Sequence, residues 1–565
     1  MLDKNQHKAV FLPFAESAIV EAPPGHGKTF VMARRIEFLI ESGYIKPPKK
    51  ILGLTFTNAA AGEMLDDIKS RMNGKHLDLI KVMTFHSFCY KILRAYGNLL
   101  GFDRNFQIIS EVDQTRSLRG VSARLSLPLD ETQYSEWRKE VHLKNNPNYS
   151  SQYSSTASRI YQEYIGELGN TKVDYDNLLL KTIELFEKFP TVLDTYRSIF
   201  QYILVDEFQD TNPLQLRFLL LLVFGNKLSK TDGEMAAPVF ILADEAQAIY
   251  RFQAATPENI KTAKESFNCT EIKLDINHRS NSESIINLTG AMRDNKIQAS
   301  SVKVNLSISA NPDEEANLVL DRIKAYKGNL HDIGIIAQNQ FILGSVRVSL
   351  EKHHIPYVFI PDFSAKSIEK KYEDVFGEIS LFPTDKNFNG KISTRIRQVY
   401  SKNGLREDDD DVLKALAILA SNFDTQARML PFSERALQFY NDIFVQLNWG
   451  NLLRKTVKNK IFLSTIHGVK GLQFAHVHIL GLSCFDHIFY KVCLECNWGK
   501  NIKSVSEPLS DAQKTLYVGS TRAQEILYLY SAQKSDKDKL RKVVCLLAPY
   551  KDFVDVTGNA LYCGE

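Results

Sequence analysis

A short glycine-containing segment near the amino terminus has the residue types that bind nucleotide phosphates. It reads Ala22-Pro23-Pro24-Gly25-His26-Gly27-Lys28-Thr29 and lies between an apolar β-branched run and the apolar helical pattern Phe30–Ile40. Glycine lets backbone N–H groups surround phosphate oxygens, and the start of the following helix favours negative charge. We expect Lys28 to contact the β- and γ-phosphates and the Thr29 hydroxyl to ligate Mg²⁺. The segment predicts a P-loop, with alanine where the general pattern has glycine.

An acidic pair supports this prediction. The apolar run Ile203–Val205 ends in Asp206 and Glu207. A strand that ends in two carboxylates can present one to Mg²⁺ and use the other to orient an attacking water. Asp206 is the expected metal partner and Glu207 the expected base, so the two motifs together predict a chain that binds and hydrolyses a nucleotide with Mg²⁺.

Composition excludes several classes of protein. The chain has 565 residues, 44% hydrophobic and 24% charged, and 70 basic against 66 acidic residues give a net charge of +4. That balance excludes a basic tail protein, but a local basic groove for nucleic acid fits inside it. The apolar run Phe218–Phe224 is far shorter than the roughly 20 residues of a membrane span, and the polar start Met1–Gln6 is unlike a signal peptide. Seven scattered cysteines indicate a reducing compartment, so we expect a soluble cytoplasmic protein without membrane partners.

The elements that must position these motifs alternate between strands and helices. The apolar strand candidates are 17–21, 51–56, 202–205, 239–243, 333–337, 461–465, 477–480 and 526–530. Strands that alternate with helices predict an α/β protein with parallel sheets. Two polar, helix-like stretches lack convincing parallel strands and are interpreted as insertions. The predicted organisation is a first α/β domain at 1–99 and 173–275 with an insertion at 100–172, and a second at 276–363 and 456–565 with an insertion at 364–455.

Several motifs, in order, resemble the UvrD/Rep/PcrA family of superfamily 1 DNA helicases. The resemblance is strongest in the segments 206–211, Asp-Glu-Phe-Gln-Asp-Thr, and 465–474, Thr-Ile-His-Gly-Val-Lys-Gly-Leu-Gln-Phe. It extends to the segments 3–6, 55–60, 84–88, 242–250, 277–280 and 516–523. The resemblance implies two RecA-like P-loop NTPase domains with ATP in the cleft between them. It also implies stepping along single-stranded DNA in the 3′ to 5′ direction.

The resemblance also implies roles for single residues around the nucleotide. Gln6 would read the adenine and Gln247 would sense the γ-phosphate, while Arg279 and Arg522 would act as arginine fingers. Two nucleotide-contacting positions depart from the family pattern. His278 replaces a tyrosine that stacks on adenine, and Gln473 replaces a glutamate that touches the ribose. Phe30 also stands where an arginine often helps to hold the nucleotide. These departures put adenine selectivity in question, not hydrolysis.

The implied DNA contacts combine aromatic and polar side chains. Aromatic rings stack on bases without sequence preference. The candidate contacts are Phe56, Thr57, Asn58, Phe85, His86, Tyr250, Phe252 and His467. Core packing beside a strand is an alternative role for Phe56 and Phe85, and for Phe252 as well.

Three functions are compatible with these motifs. The preferred one is an ATP-dependent translocase or helicase on single-stranded DNA. An alternative is a UvrD-like ATPase subunit that senses or activates a partner, for example a nuclease in a Gabija-type anti-phage complex or a repair protein. An RNA translocase is a third. The second insertion is short for a full duplex-gripping accessory domain, which favours a reduced motor or one that depends on a partner.

Two other clusters imitate metal sites. Cys484, His487, Cys493 and Cys496 are plausible zinc ligands, but the spacing of the first pair is unusual, and reduced, unliganded cysteines are preferred. Pro361-Asp362 followed by Glu369-Lys370-Lys371 imitates a nuclease signature with too short a gap.

Overall fold

A computed structural model describes most of the chain in two units. The described residues are 2–56, 58–72, 76–109, 111–129, 155–227, 235–249, 258–294, 301–360, 370–385, 390–444, 447, 449–483, 511–534, 543 and 545–558. The first unit comprises Met1–Ala22, Gly27–Asp275 and Phe363–Asn448. The second comprises Pro23–His26, Ile276–Asp362 and Trp449–Glu565.

The helices and strands alternate along most of the chain. The helices are α1 (Lys4–Val10), α2 (Lys28–Glu41), α3 (Asn58–Arg71), α4 (Phe85–Tyr96), α5 (Glu111–Leu125), α6 (Ser155–Leu168), α7 (Tyr175–Lys188), α8 (Pro190–Ile199), α9 (Pro213–Phe224), α10 (Glu258–Ser266), α11 (Glu283–Asp294), α12 (Pro312–Ala325), α13 (Gly344–Lys352), α14 (Lys370–Ile379), α15 (Ile392–Lys402), α16 (Asp411–Gln426), α17 (Phe432–Gln438), α18 (Trp449–Thr456) and α19 (Asp511–Ser520). The strands are β1 (Ala18–Glu21), β2 (Lys50–Thr55), β3 (Ile80–Thr84), β4 (Gln107–Ile108), β5 (Lys172–Val173), β6 (Phe200–Val205), β7 (Val239–Ala243), β8 (Thr270–Lys273), β9 (Val304–Ser309), β10 (Ile333–Ala337), β11 (Tyr357–Phe359), β12 (Ile461–Thr465), β13 (Phe474–Leu480), β14 (Ala523–Ala532) and β15 (Val554–Thr557).

The first unit is built on a parallel sheet with the strand order β3-β2-β6-β7-β1-β8. Its central strands β6 and β7 are apolar and almost entirely buried because helices cover both faces of such a sheet. The apolar run 218–224 lies in α9, whose side chains Phe218 and Leu219 are buried in the core of this unit. No helix among the described residues is both long and apolar enough to cross a membrane.

The second unit has its own parallel sheet with the order β11-β12-β10-β13-β14-β9-β15. Helices α12 and α13 contribute apolar side chains such as Val319 and Leu350 to a core against β10 and β12. Two parallel sheets in one chain confirm the predicted α/β class.

The helical segment 370–444 interrupts the second sheet in sequence but belongs to the first unit in space. Asn441, in a turn of π-helix, is fully buried and bonds to the first unit on both sides of its amide. Its Oδ1 accepts from the N–H of Ile108 at 2.9 Å, and its Nδ2 donates to the Tyr90 hydroxyl at 3.1 Å and to the Phe106 carbonyl at 3.3 Å. This amide therefore joins the second insertion to β4 and α4.

Replacing Asn441 by alanine should lower the free energy of unfolding by about 1–3 kcal/mol, because the buried N–H of Ile108 loses its acceptor. Urea denaturation followed by circular dichroism measures the change. Thr425→Ala, at an exposed position of α16, serves as the control and should change stability by less than about 0.5 kcal/mol. Equal stability of the Asn441 variant and the wild type would show that this contact does not fasten the insertion.

Candidate functional site

The hydrolysis motifs lie together at one edge of the first sheet. β6, β7 and β1 are neighbours and run parallel, so their carboxyl ends meet at the same edge. The P-loop follows β1, Asp206 and Glu207 follow β6, and the turn that contains Gln247 follows β7. The strand order thus brings residues about 180 positions apart within reach of one another, as Lys28 and Glu207 show.

The P-loop has a backbone that requires glycine. Gly25 and Gly27 have φ angles of +85° and +83°, in the left-handed region that side chains disfavour. A Cβ atom at Gly27 would also lie 2.8 Å from Nε2 of Gln6. Gln6 is 2% exposed and closes a capping box with Asp3 at the start of α1. The predicted adenine-reading glutamine therefore lies directly beside the P-loop.

Phe30, the third residue of α2, has a cation over its ring. The guanidinium carbon of Arg71 lies 4.5 Å from the ring centroid of Phe30. The carboxylate of Asp67 holds Arg71 from one turn earlier in α3 at 3.1 Å. A positive charge is thus present next to the first turn of α2, although it comes from a different helix.

Lys28 and Glu207 form a largely buried ion pair. Lys28 is the first residue of α2, and its Nζ lies 3.0 Å from Oε1 of Glu207. Burial alone would lower the pKa of Lys28, but Glu207, Asp206 and Asp244 together raise it above its ordinary value. Lys28 is therefore fully charged at neutral pH and surrounded by carboxylates.

A chain of hydrogen bonds continues from Glu207 to Gln247. Gln209 donates through Nε2 to the Glu207 carboxylate, and its Oε1 accepts from the N–H of Asp244 at 2.9 Å. Gln247 donates through Nε2 to Oδ2 of Asp244 at 2.8 Å. The predicted base and the residue predicted to sense the γ-phosphate are thus connected through the Gln209 side chain and through the backbone N–H and carboxylate of Asp244.

Gln209 and Asp244 are members of this hydrogen-bond chain to which the sequence alone assigns no role. Both lie within motifs that the sequence identifies, one after β6 and the other at the end of β7. Both are buried, at 1% exposed each. The sequence signal for both is a polar residue shortly after an apolar strand, because a polar group buried at such a place needs a hydrogen-bond partner.

The second unit groups its own motif residues. The N–H of His278 donates to the carbonyl of Gly25 at 2.7 Å, and the backbone N–H of Arg279 donates to the Asn277 side chain at 2.8 Å. Gln473 accepts from Gln524 at 3.0 Å. The P-loop residues Pro23–His26 belong to this unit together with His278 and Arg279.

Arg522 is buried, and its guanidinium is engaged within the second unit. It is 3% exposed and donates to the carbonyls of Val518 at 2.9 Å and Leu472 at 3.3 Å. Its role as an arginine finger stays a prediction.

Two candidate DNA contacts lie at the other end of the same sheet edge. Phe56 follows β2, and His86 lies in the first turn of α4, which follows β3. The last residues of these two neighbouring strands, Thr55 and Thr84, pair with each other. Both side chains are partly exposed, and the ring centroids of His86 and Tyr175 lie 4.8 Å apart. The strand order therefore places these candidates beside the β6 end of the hydrolysis site.

Phe85 does not fit the predicted role of a stacking platform. Its ring is 2% exposed and packs against Phe218, with 6.4 Å between the centroids. A ring enclosed in the core cannot stack on a base, so the stacking prediction is wrong for Phe85 and the core-packing alternative holds.

Of the remaining candidate DNA contacts, two lie among the described residues. His467 follows β12 in the second unit and is partly exposed. Asn58 begins α3. Thr57, Tyr250 and Phe252 lie outside the described residues, as do the zinc candidates Cys484, His487, Cys493 and Cys496, and Pro361, Asp362 and Glu369 of the nuclease-like segment.

The described residues fit a nucleotide and its magnesium ion. The first N–H groups of α2, which begins at Lys28 directly after Gly27, have no partners within the helix and can donate to an anion. The Thr29 hydroxyl and the Asp206 carboxylate are the oxygen ligands that Mg²⁺ prefers when water and phosphate complete its shell. Among the described residues, no group of three or more His, Cys, Asp or Glu side chains forms an all-protein metal site.

Comparison with known proteins agrees with this geometry. Residues 2–268 match the UvrD/REP helicase N-terminal domain, and residues 363–534 match the UvrD-like helicase C-terminal domain. The ATP-dependent DNA helicase PcrA of Staphylococcus aureus (strain Mu50 / ATCC 700699) is 25% identical over 620 aligned positions, covering 91% of this chain and 81% of the relative. PcrA of Staphylococcus epidermidis (strain ATCC 12228 / FDA PCI 1200) is 24% identical with the same coverage. With its two parallel-sheet units and its hydrolysis site, the chain belongs to the UvrD/Rep family of ATP-dependent DNA helicases.

Proposed function

We propose that this protein is a motor that uses ATP hydrolysis to move along single-stranded DNA in the 3′ to 5′ direction. The observation that best supports the proposal is the hydrogen-bond chain from Glu207 through Gln209 and Asp244 to Gln247. Gln247 precedes Tyr250, a predicted DNA contact, by three positions in the sequence. A rearrangement at the base can thus reach the DNA-contacting segment through few covalent and hydrogen bonds.

The chemistry begins with competition for Lys28. Its ammonium now binds Glu207, and the phosphates of a bound nucleotide offer it stronger acceptors. Transfer of Lys28 to the phosphates would free the Glu207 carboxylate to take a proton from the attacking water. Mg²⁺, held by Thr29 and Asp206, supplies positive charge to the phosphate oxygens when it is bound. Arg279 and Arg522 would act on the charge that develops in the transition state.

The direction of movement, the nucleic acid and any partner belong to this proposal. The PcrA relatives carry the description of DNA helicases, which favours single-stranded DNA over RNA. A cytoplasmic location follows from the same proposal. The alternative is an ATPase subunit that acts mainly on a nuclease or repair partner, and it predicts hydrolysis that depends on the partner.

Steady-state ATPase assays with oligo(dT), with oligo(U) and without nucleic acid test the proposal. We expect oligo(dT) to raise kcat clearly above the basal rate and above the rate with oligo(U), because DNA contacts act on Gln247. Equal stimulation by both oligomers would instead identify an RNA or general translocase. An ATP hydrolysis rate that does not change when DNA is added would overturn the autonomous motor and favour the subunit alternative.

A further inference from the structure

Five rings of the first unit contact one another in a continuous series, here called the aromatic patch. In the order of contact they are His7, Phe11, Phe38, Tyr44 and Phe14, with successive ring centroids 4.5, 5.0, 6.0 and 5.1 Å apart. Phe11 is 41% exposed and Tyr44 is 45% exposed. A single exposed apolar side chain needs no explanation, but exposed rings in contact with one another indicate an interaction site.

A buried arginine supports the patch from the core side. Arg35 of α2 is fully buried, and its guanidinium carbon lies 5.6 Å from the ring centroid of Phe38. It donates to three carbonyls at the end of α1 and just after it, those of Val10, Leu12 and Pro13. These bonds fix the backbone on both sides of Phe11 and next to Phe14. The patch is therefore preorganised, and a ligand that binds it orders few further groups.

The patch lies at the edge of the first sheet opposite to the hydrolysis site. β1, β2 and β6 run in the same direction, and the hydrolysis motifs follow the carboxyl ends of β1 and β6. Phe14 and Tyr44 precede β1 and β2, and the Phe14 ring lies 5.8 Å from that of Tyr202 near the start of β6. Phe38 follows Lys28 in α2 by ten positions, which is about 15 Å along the helix axis. A ligand on the patch would therefore not cover the P-loop.

Positive charge borders the patch. The exposed basic side chains of the segment 4–50, apart from His7 itself, are Lys4, Lys8 and Lys46. The first two share one face of α1 with two rings of the patch, because positions 4, 7, 8 and 11 are three or four residues apart. The exposed acidic residues of the same segment are Glu41 and Glu16, and the Glu16 carboxylate already accepts a hydrogen bond from Thr270. The excess of positive charge favours an acidic ligand.

The arrangement of the rings favours a protein over a nucleic acid. A base stacks on an open ring face. Phe14 and Tyr44 instead stack on each other, with 2° between their planes, and Phe11 meets Phe38 edge to face at 80°. The candidate DNA contact Phe56 follows the carboxyl end of β2, at the opposite edge of the sheet. Aromatic side chains with a charged border are typical of protein interfaces.

We propose that the aromatic patch is the docking site for an acidic segment of a partner protein. An aromatic or aliphatic side chain of that segment packs against Phe11 and Tyr44, and its carboxylates face Lys8 and Lys46. The proposal goes beyond the motor activity and does not depend on it. A partner at this place contacts α1, the helix that positions Gln6 beside the P-loop.

Selection from a phage library of random peptides on the full chain tests the proposal. We expect the enriched peptides to be acidic and to contain an aromatic or aliphatic anchor. A labelled synthetic copy of the most enriched peptide should bind Tyr44→Ala at least about tenfold more weakly than the wild type in fluorescence anisotropy. Lys8→Glu, an exposed change that leaves the rings intact, should also weaken binding.

Leu99→Ala is the matched control, because Leu99 is 44% exposed in the same unit and lies outside the patch. It should bind the peptide as the wild type does. Tyr44→Ala should keep the basal ATPase rate and the affinity for oligo(dT), which also shows that it is folded.

The contrary results separate the other possible occupants. Enriched peptides that are basic, or that bind Tyr44→Ala as tightly as the wild type, overturn the proposal, as does a selection that enriches no peptide. Weaker binding of oligo(dT) by Tyr44→Ala would assign the patch to DNA instead. A wild-type dimer that Tyr44→Ala dissociates in sedimentation experiments would assign it to a second copy of the chain. None of these results depends on whether the protein moves along DNA.

Discussion

Replacement of Glu207 by glutamine is expected to lower kcat for ATP hydrolysis by about 10²–10⁴-fold, the usual contribution of a general base. The amide keeps the size of the side chain but cannot accept a proton from water. It also loses the ion pair with Lys28 at 3.0 Å, so Lys28 becomes more available to phosphates. We therefore expect ATP binding, measured with a fluorescent nucleotide, to be kept or strengthened while turnover falls.

Glu245→Gln is the matched control for that experiment. Glu245 is exposed in the turn after β7, next to the buried Asp244, so its replacement removes the same charge without touching the hydrogen-bond chain. It should retain the wild-type kcat. A Glu207→Gln variant that hydrolyses ATP within a few-fold of the wild type would exclude Glu207 as the base.

Replacement of Lys28 by methionine is expected to reduce kcat/KM for ATP by about 10²–10³-fold, as loss of one donor to transition-state charge does elsewhere. The methionine chain occupies a similar space but brings no charge to the phosphates. It also leaves the carboxylates of Glu207, Asp206 and Asp244 without their shared cation. Both nucleotide affinity and turnover should therefore fall, in contrast to Glu207→Gln.

The stability of the Lys28→Met variant, measured against pH, distinguishes a loss of phosphate binding from misfolding. The pKa of Lys28 is raised above its ordinary value of 10.5, so its favourable interaction is complete below that pH and is lost only as pH rises through the higher folded value. The difference in unfolding free energy between wild type and Lys28→Met should thus be constant from about pH 7 to pH 9. Lys8→Met, at an exposed position of α1, should match the wild type in activity. A Lys28→Met variant with normal kcat/KM would contradict the P-loop assignment.

The sequence predicts the fully buried central strands well and the strands with many polar residues poorly, for a physical reason. Val239–Ala243, Ile333–Ala337 and Ile461–Thr465 have the predicted bounds because both faces of a central parallel strand are buried, which leaves a continuous apolar run. Val304–Ser309 is not predicted because polar and apolar residues alternate in it, and Thr270–Lys273 is not predicted because Ile272 is its one apolar residue. Thr270–Lys273 also forms an edge of its sheet, where one side needs no partner strand.

In the candidate site, too, the sequence identifies some residues and only the folded chain identifies others. Lys28 and Glu207 are identifiable because phosphate chemistry restricts residue type and spacing. The hydrogen-bond chain through Gln209 and Asp244 depends on atomic positions that only the folded chain defines. Phe85 was misassigned because a strand-end phenylalanine has the same sequence pattern whether it faces a base or the core. The association of 370–444 with the first unit depends on contacts such as that of Asn441, far from their partners in sequence.

Translocation itself is the most direct test of the account. Oligo(dT) molecules of increasing length, each labelled with a fluorophore at the 5′ end, are bound to the protein, and ATP is added in a stopped-flow instrument. We predict a delay before the fluorescence change that grows linearly with length, and no such delay when the label is at the 3′ end. A signal that is independent of length at both ends, despite ATP hydrolysis stimulated by DNA, would contradict a motor that steps 3′ to 5′ along the strand.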